Sequence, residues 1–161
     1  MIKKNRTYSS AQLTVLVIAR VLIGWYCLFE GVSKLMNPNW SSFAFLIDSK
    51  GWFAGIFQSM ASNSALLNVI DFMNVWGLIA IGLGLILGLL TRVATVSGIV
   101  LIGLYWLSHP ALINVKYMLA GTDNTMWVDK NLIFIFLLVI LLVFPTGKEI
   151  GIDRILFNRK K

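Results

Sequence analysis

Few side chains in this sequence can do chemistry, and their spacing brings most of them to one level of a helical array. Arg20, Glu30 and Lys34 lie within residues 13–36, a run long enough to cross a bilayer. At 100° per residue, Gly24, Cys27, Gly31 and Lys34 fall within about 40° of Arg20, with Glu30 about 80° to one side. A charge facing lipid costs at least about 2.5 to 3.5 kcal/mol, so these groups are expected to face a protein interior and to find partners on other helices. Glu30 and Lys34, four residues apart, can also be read as a plain ion pair at a helix end. Arg20 stands some 15 Å by helical rise from Glu30, so it needs a different partner at depth or a path to the headgroups.

The remaining polar groups cluster at the ends of other apolar stretches. Asp71 and Asn74 open the second, Tyr105, Trp106, Ser108 and His109 close the third before Pro110, and Lys130 and Asn131 open the fourth. If helices alternate in direction, all these groups share one level with Glu30 and Lys34. Trp25, Trp76, Trp106 and Trp127 lie at or near that level, so titratable groups stand beside flat apolar surfaces, as a site for an aromatic amphiphile requires. Glu30, Lys34 and His109 are the candidate acid and base groups. Arg20, Trp25, Asp71, Asn74, Trp76, Tyr105, Trp106, Lys130 and Asn131 are candidates for binding. The plainer readings are that polar and Trp residues gather at any membrane interface, that Asp71 is a helix cap and that His109 is a solvated helix terminus.

The elements that must hold these residues follow from composition. The chain has 161 residues, 58% of them apolar and 13% charged, with a mean hydropathy of +0.80, which describes one integral membrane domain over residues 1–161. The expected fold is all-α: a four-helix bundle with spans at about 13–36, 71–90, 93–109 and 130–144. Pro38 ends the first span, and residues 40–47 and 51–60 supply apolar pieces too short to cross, expected as helices lying at the outer interface with Ser41 or Ser42 as an N-cap and with Trp40 and Trp52 at headgroup level. Asp129 is placed to cap the fourth span, and residues 150–161 read as an amphipathic tail on anionic lipid. No cleavable signal is evident, because the basic start feeds a full-length span.

The net charge of +7 gathers at the termini rather than along an aromatic face, which argues for topology and against nucleic acid. Lys3, Lys4, Arg6, Arg92, Lys148, Arg154, Arg159, Lys160 and Lys161 fall on one side, so both termini are expected in the cytoplasm. One cysteine and one histidine exclude an intrachain disulfide and a bis-histidine haem, and a lone histidine gives no metal-site pattern. Gly84 and Gly88 lie within about 20° of Gly77, and the three are expected to form a close-packing face.

Four segments, ARVLIGWYCLFEGVSKL, WGLIAIGLGLILGLLTRVA, YWLSHP and DKNLIFIFLLVILLVFPTGKEIGIDRIL, resemble the DoxX family in the order of its four helices. The resemblance implies a four-helix inner-membrane protein of bacterial origin, similar to the small subunit of a thiosulfate:quinone oxidoreductase. It puts Arg20, Glu30 and Lys34 at polar positions of the first span and Lys130 and Asn131 at the start of the fourth. The chain departs from many relatives in carrying Asn74, Ile133 and Phe134 where they carry glutamates. The resulting expectation is a quinone-interacting subunit working with a redox partner protein or as a homo-oligomer. The rivals are a non-enzymatic scaffold that uses the glycine face and, less favoured, a small-solute transporter. If Arg20 serves a ligand, Arg20→Lys should weaken binding while leaving stability intact.

Overall fold

The computed structural model describes residues 8–112, 115–118 and 128–157. Trp127 and the outermost basic residues lie outside this set. The described regular structure is entirely helical: α1 (Ser10–Leu35), α2 (Phe43–Ile47), α3 (Ala54–Ser62), α4 (Ser64–Leu87), α5 (Thr91–Ser108), α6 (Lys130–Val143) and α7 (Ile152–Phe157). Among the described residues, α1, α4 and α5 are long and apolar enough to cross a membrane. The 14 residues of α6 rise about 21 Å. Large apolar side chains cover the exterior, among them Leu22, Phe29, Phe72, Val100 and Phe136, as the lipid environment of a multi-pass membrane protein requires.

Local chemistry sets the helix ends. Ser9 and Gln12 form a reciprocal capping box at the start of α1, and Asp129 caps α6 by accepting the Leu132 N–H at 2.9 Å. The second span starts earlier than the sequence suggested, because the Asn63 side chain accepts from the Ala65 and Leu66 N–H groups and starts the helix at Ser64. Asp71 is therefore no cap. It sits about two turns inside α4. Ser42 occupies the N-cap position of α2 without a capping bond, since its hydroxyl donates to Asp71 instead.

The long helices neighbour one another in the cyclic order α1, α4, α5, α6, and α2 and α3 fold together over one end. The core joins Ile23 and Cys27 of α1 to Leu78, Ile81 and Leu85 of α4, Ala94 and Ile102 of α5, and Leu138 and Leu141 of α6. Cys27 is thus a buried free thiol packed as a small core residue. The closest helix contact uses a different set of glycines from the expected stripe. A Cβ on Gly82 would stand 2.6 Å from the Leu28 nitrogen, and one on Gly31 would stand 2.8 Å from Ile79. So α1 and α4 touch through Gly24, Gly31 and Gly82. Of the stripe itself, Gly77 is loosely packed, with Leu101 Cδ2 4.0 Å from where a Cβ would stand, Gly84 packs on Ala94 within the chain, and Gly88 ends α4 at φ 65°.

The end of the molecule that holds the α4–α5 turn and the C-terminal segment is closed by a clasp. Gly88 and Gly151 approach so closely that a Cβ on Gly88 would stand 2.7 Å from the Gly151 Cα, and the Asp153 N–H donates to the Gly88 carbonyl at 2.9 Å. The Asp153 carboxylate accepts from the N–H groups of Leu90 (2.7 Å) and Thr91 (2.9 Å) and from the Thr91 hydroxyl (2.5 Å). It caps α5 from outside the helix, where Leu90 has no side chain able to do so. The start of the expected lipid-bound tail is therefore docked on the helices, while Ile155 and Leu156 stay exposed.

Candidate ligand-binding site

Three residues at i, i+4 spacing on α1, Tyr26, Glu30 and Lys34, line one side of a cavity of about 530 Å³ at the α2–α3 end of the molecule. Asn74 of α4 and Tyr105 of α5 form the opposite wall, and Asp129, Lys130 and Asn131 form the rim at the start of α6. The segment after Pro38 folds over the top and contributes Trp40, Ser41, Ser42 and Phe45. Four long helices and one loop helix thus meet around one space.

Its centre is the Lys34 ammonium. Nζ donates to Asn74 Oδ1 at 2.9 Å and lies 3.5 Å from the Tyr105 hydroxyl. It also stands 5.0 Å from the Trp40 ring centroid and 5.3 Å from that of Tyr105, so two aromatic faces attract it as well. The described ion pairs involve Asp48 rather than Glu30, so the simple Glu30–Lys34 pair is replaced by contacts from Lys34 to α4 and α5. This follows from the α1–α4 approach, which brings the α4 amide within reach of a half-buried ammonium that needs partners.

Asp71 stands outside the cavity and supports it. Its carboxylate accepts from the Ser42 backbone N–H at 2.8 Å and from the Ser42 hydroxyl, tying the start of α2 to α4 and thereby setting the position of Trp40 and Phe45. A second brace lies behind Phe45. Ser49 Oγ donates to the Ser108 carbonyl at 2.8 Å, Tyr117 donates to the Pro110 carbonyl at 2.7 Å, and the Met118 N–H donates to Asp48 Oδ2 at 2.7 Å.

His109 forms part of the cavity wall, stacked on Phe45 at 4.0 Å between centroids and against Tyr117 at 4.6 Å. Nδ1 lies 3.1 Å from the Ser108 hydroxyl, while Nε2 is directed to Asp48 at 3.8 Å. The imidazole, held between Phe45 and Tyr117, gives this wall an aromatic face.

The expected tryptophan box does not assemble here. Trp25 is 62% and Trp76 48% exposed on the outside of the helices, and Trp106 lines neither this cavity nor its neighbour. The helical positions of Trp25 and Trp76 point them to lipid, and the aromatic surface at the cavity comes from Tyr26, Trp40, Phe45 and Tyr105 instead. The i, i+4 register of Tyr26 with Glu30 and Lys34 could have revealed it from sequence. No local pattern could have revealed Trp40 and Phe45, because only the folding of α2 over the helix ends brings them in.

Arg20 belongs to the opposite end. It is 2% exposed, and its guanidinium donates to Thr146 Oγ1 at 3.0 Å and to the Ile150 carbonyl at 2.8 Å. The expected loss of binding in Arg20→Lys therefore has no geometric basis, because the fork is spent on the C-terminal clasp. The partner it needed at depth is a turn more than 120 residues away in sequence, with Asp153 supplying negative charge nearby.

No curated protein and no solved structure matches the chain. The family model described as DoxX matches residues 15–110, a stretch that runs from α1 to the end of α5 and carries Tyr26, Glu30, Lys34, Asn74 and Tyr105 together. With more than half of its length matched and with apolar helices of membrane-spanning length, the chain belongs to the DoxX family of membrane proteins.

Proposed function

We propose that this protein is a quinone-interacting subunit of a membrane oxidoreductase system, with its quinone head site in the cavity around Lys34. The observation that carries this reading is the convergence of Lys34, Asn74 and Tyr105 from three helices on one aromatic-walled space. Such a ring needs donors for its oxygens and flat apolar surfaces for its faces. The residues present fit it: the ammonium, the amide and the hydroxyl are donors, and Trp40 and Tyr105 offer faces. A bound quinone supplies a two-electron, two-proton couple, with electrons from a redox partner protein or a small reductant.

In this reading Lys34 orients the ring by a charge-assisted hydrogen bond, and Tyr105 and Asn74 fix its plane. Glu30, on the same wall, exchanges protons between the cavity and the rim at Lys130 and Asn131. His109 and Phe45 exclude water behind it. All four long helices cross a bacterial inner membrane, with α6 spanning together with the residues that flank it. Arg92, Lys148 and Arg154 at the clasped end then place both termini in the cytoplasm, and α2 and α3 lie at the outer interface. The scaffold alternative loses support because Gly84 and Gly88 are occupied within the chain.

Titrating the detergent-solubilised protein with a tail-less naphthoquinone is expected to quench tryptophan fluorescence saturably, with most of the quench lost in Trp40→Phe. Absence of saturable binding, or a quench unchanged in Trp40→Phe, would count against the site.

A further inference from the structure

A second cavity, of about 590 Å³, lies between α4 and α5 beneath α2 and α3. Ser42, Phe45, Asn74 and Tyr105 line both this space and the polar cavity, so the two meet at those four residues. Beyond them the walls are apolar except for Ser97, with Met60 and Ile70 near the top and Gly77, Ile81, Val96 and Val100 farther along. From Asn74 to Ile81 on α4, and from Tyr105 to Val96 on α5, the helical rise is about 10 to 14 Å. The slot therefore runs from the polar end toward the middle of the helices. Gly77 leaves it open: the nearest atom to a Cβ built there is Leu101 Cδ2, at 4.0 Å.

An apolar slot in a membrane protein, taken alone, suits any acyl chain. Continuity with a polar, aromatic-walled cavity selects a molecule with both parts, because a head held at Lys34 has its substituent at the mouth of the slot. We infer that the ligand is a membrane-resident quinone with a single long isoprenoid or alkyl tail, and that the tail occupies the α4–α5 slot. This rests on the head-site reading above and names its substrate class: a tailed quinone entering sideways from the bilayer rather than a small water-soluble ring. The tail lies along Gly77 and Val100, where the helix surfaces would otherwise meet lipid, and reaches inward to the buried Ile81.

The test uses a naphthoquinone carrying a decyl tail with a terminal diazirine, photolysed with the intact protein in lipid nanodiscs. Mass spectrometry is expected to find the label on residues 77–81 and 96–101. Gly77→Leu, which fills the slot without entering the polar cavity, is expected to reduce that labelling about tenfold, equivalent to losing burial of roughly two methylenes. Binding of the tail-less ring to the same variant is expected to match wild type, which also reports that the variant is folded. Unchanged labelling in Gly77→Leu, or equal labelling of lipid-facing residues on α1 and α6, would overturn the tail assignment while the tail-less ring still bound at Lys34. Equal slot labelling by a diazirine fatty acid would assign the slot to ordinary lipid chains and overturn the inference. Failure of the tail-less ring to bind wild type would instead overturn the head-site reading, and the tail assignment with it.

Discussion

Replacing Asp153 by alanine is expected to destabilise the protein by about 3 to 5 kcal/mol, because three hydrogen bonds to one charged acceptor vanish and leave the two Thr91 donors buried. The Leu90 and Thr91 N–H groups and the Thr91 hydroxyl would lose their common partner. Leu90 is held at φ 45°, a left-handed conformation unfavourable for leucine by roughly 1 to 2 kcal/mol, and the carboxylate grip on its N–H helps to hold it there. The first turn of α5 has no side-chain cap of its own. Thermal unfolding in detergent, followed by circular dichroism, measures the loss.

The same group predicts a pH dependence. Burial acts to raise the Asp153 pKa, but hydrogen bonds from Thr91 and Leu90, together with the Arg20 charge, outweigh it and hold the carboxyl below its usual range. A depressed folded pKa contributes stability that is complete above the unfolded value, about 3.9, and is lost as pH falls through the folded one. Stability attributable to the clasp should therefore be flat near neutrality and fall below about pH 4, and this acid limb should be absent in Asp153→Ala. A variant that melts with wild type would mean that the C-terminal segment does not cap α5.

Much of this architecture was legible in the sequence because it follows from local rules. Helix existence, the all-α class and the Asp129 cap came from hydropathy and capping chemistry. The common level of Glu30, Lys34, Asn74, Tyr105, Lys130 and Asn131 came from counting helical rise in alternating directions. What failed depended on which face a residue presents and on contacts between distant segments. Trp25 and Trp76 sit at the right depth on the wrong side, which depth alone cannot decide. Arg20 and Asp153 find their roles in a clasp between segments more than 60 residues apart in sequence, and such pairings leave no periodic trace. The glycines misled because angular proximity on α4 does not say which glycine the neighbouring helix touches.

The second large effect is expected at Lys34. Lys34→Met keeps the length and apolar stem of the side chain and removes the ammonium that donates to Asn74 and lies beside Tyr105. A hydrogen bond from a charged donor contributes about 1.5 to 3 kcal/mol, so naphthoquinone affinity should fall by roughly 10- to 150-fold. Stability should hold or rise, because a half-buried ammonium carries a desolvation cost that methionine does not. Fluorescence titration and thermal melting of the same preparation separate these outcomes. A parallel loss of stability and affinity would make Lys34 a structural bridge between α1, α4 and α5.

The central claim, that the cavity around Lys34 receives a quinone ring, is tested most directly by photolabelling with a tail-less azidonaphthoquinone followed by peptide mapping. The label is predicted on the residues that face this space, chiefly Tyr26, Trp40 and Tyr105, with protection by excess naphthoquinone and loss in Lys34→Met. Label confined to the outward-facing Trp25 and Trp76, or insensitive to competitor, would contradict it.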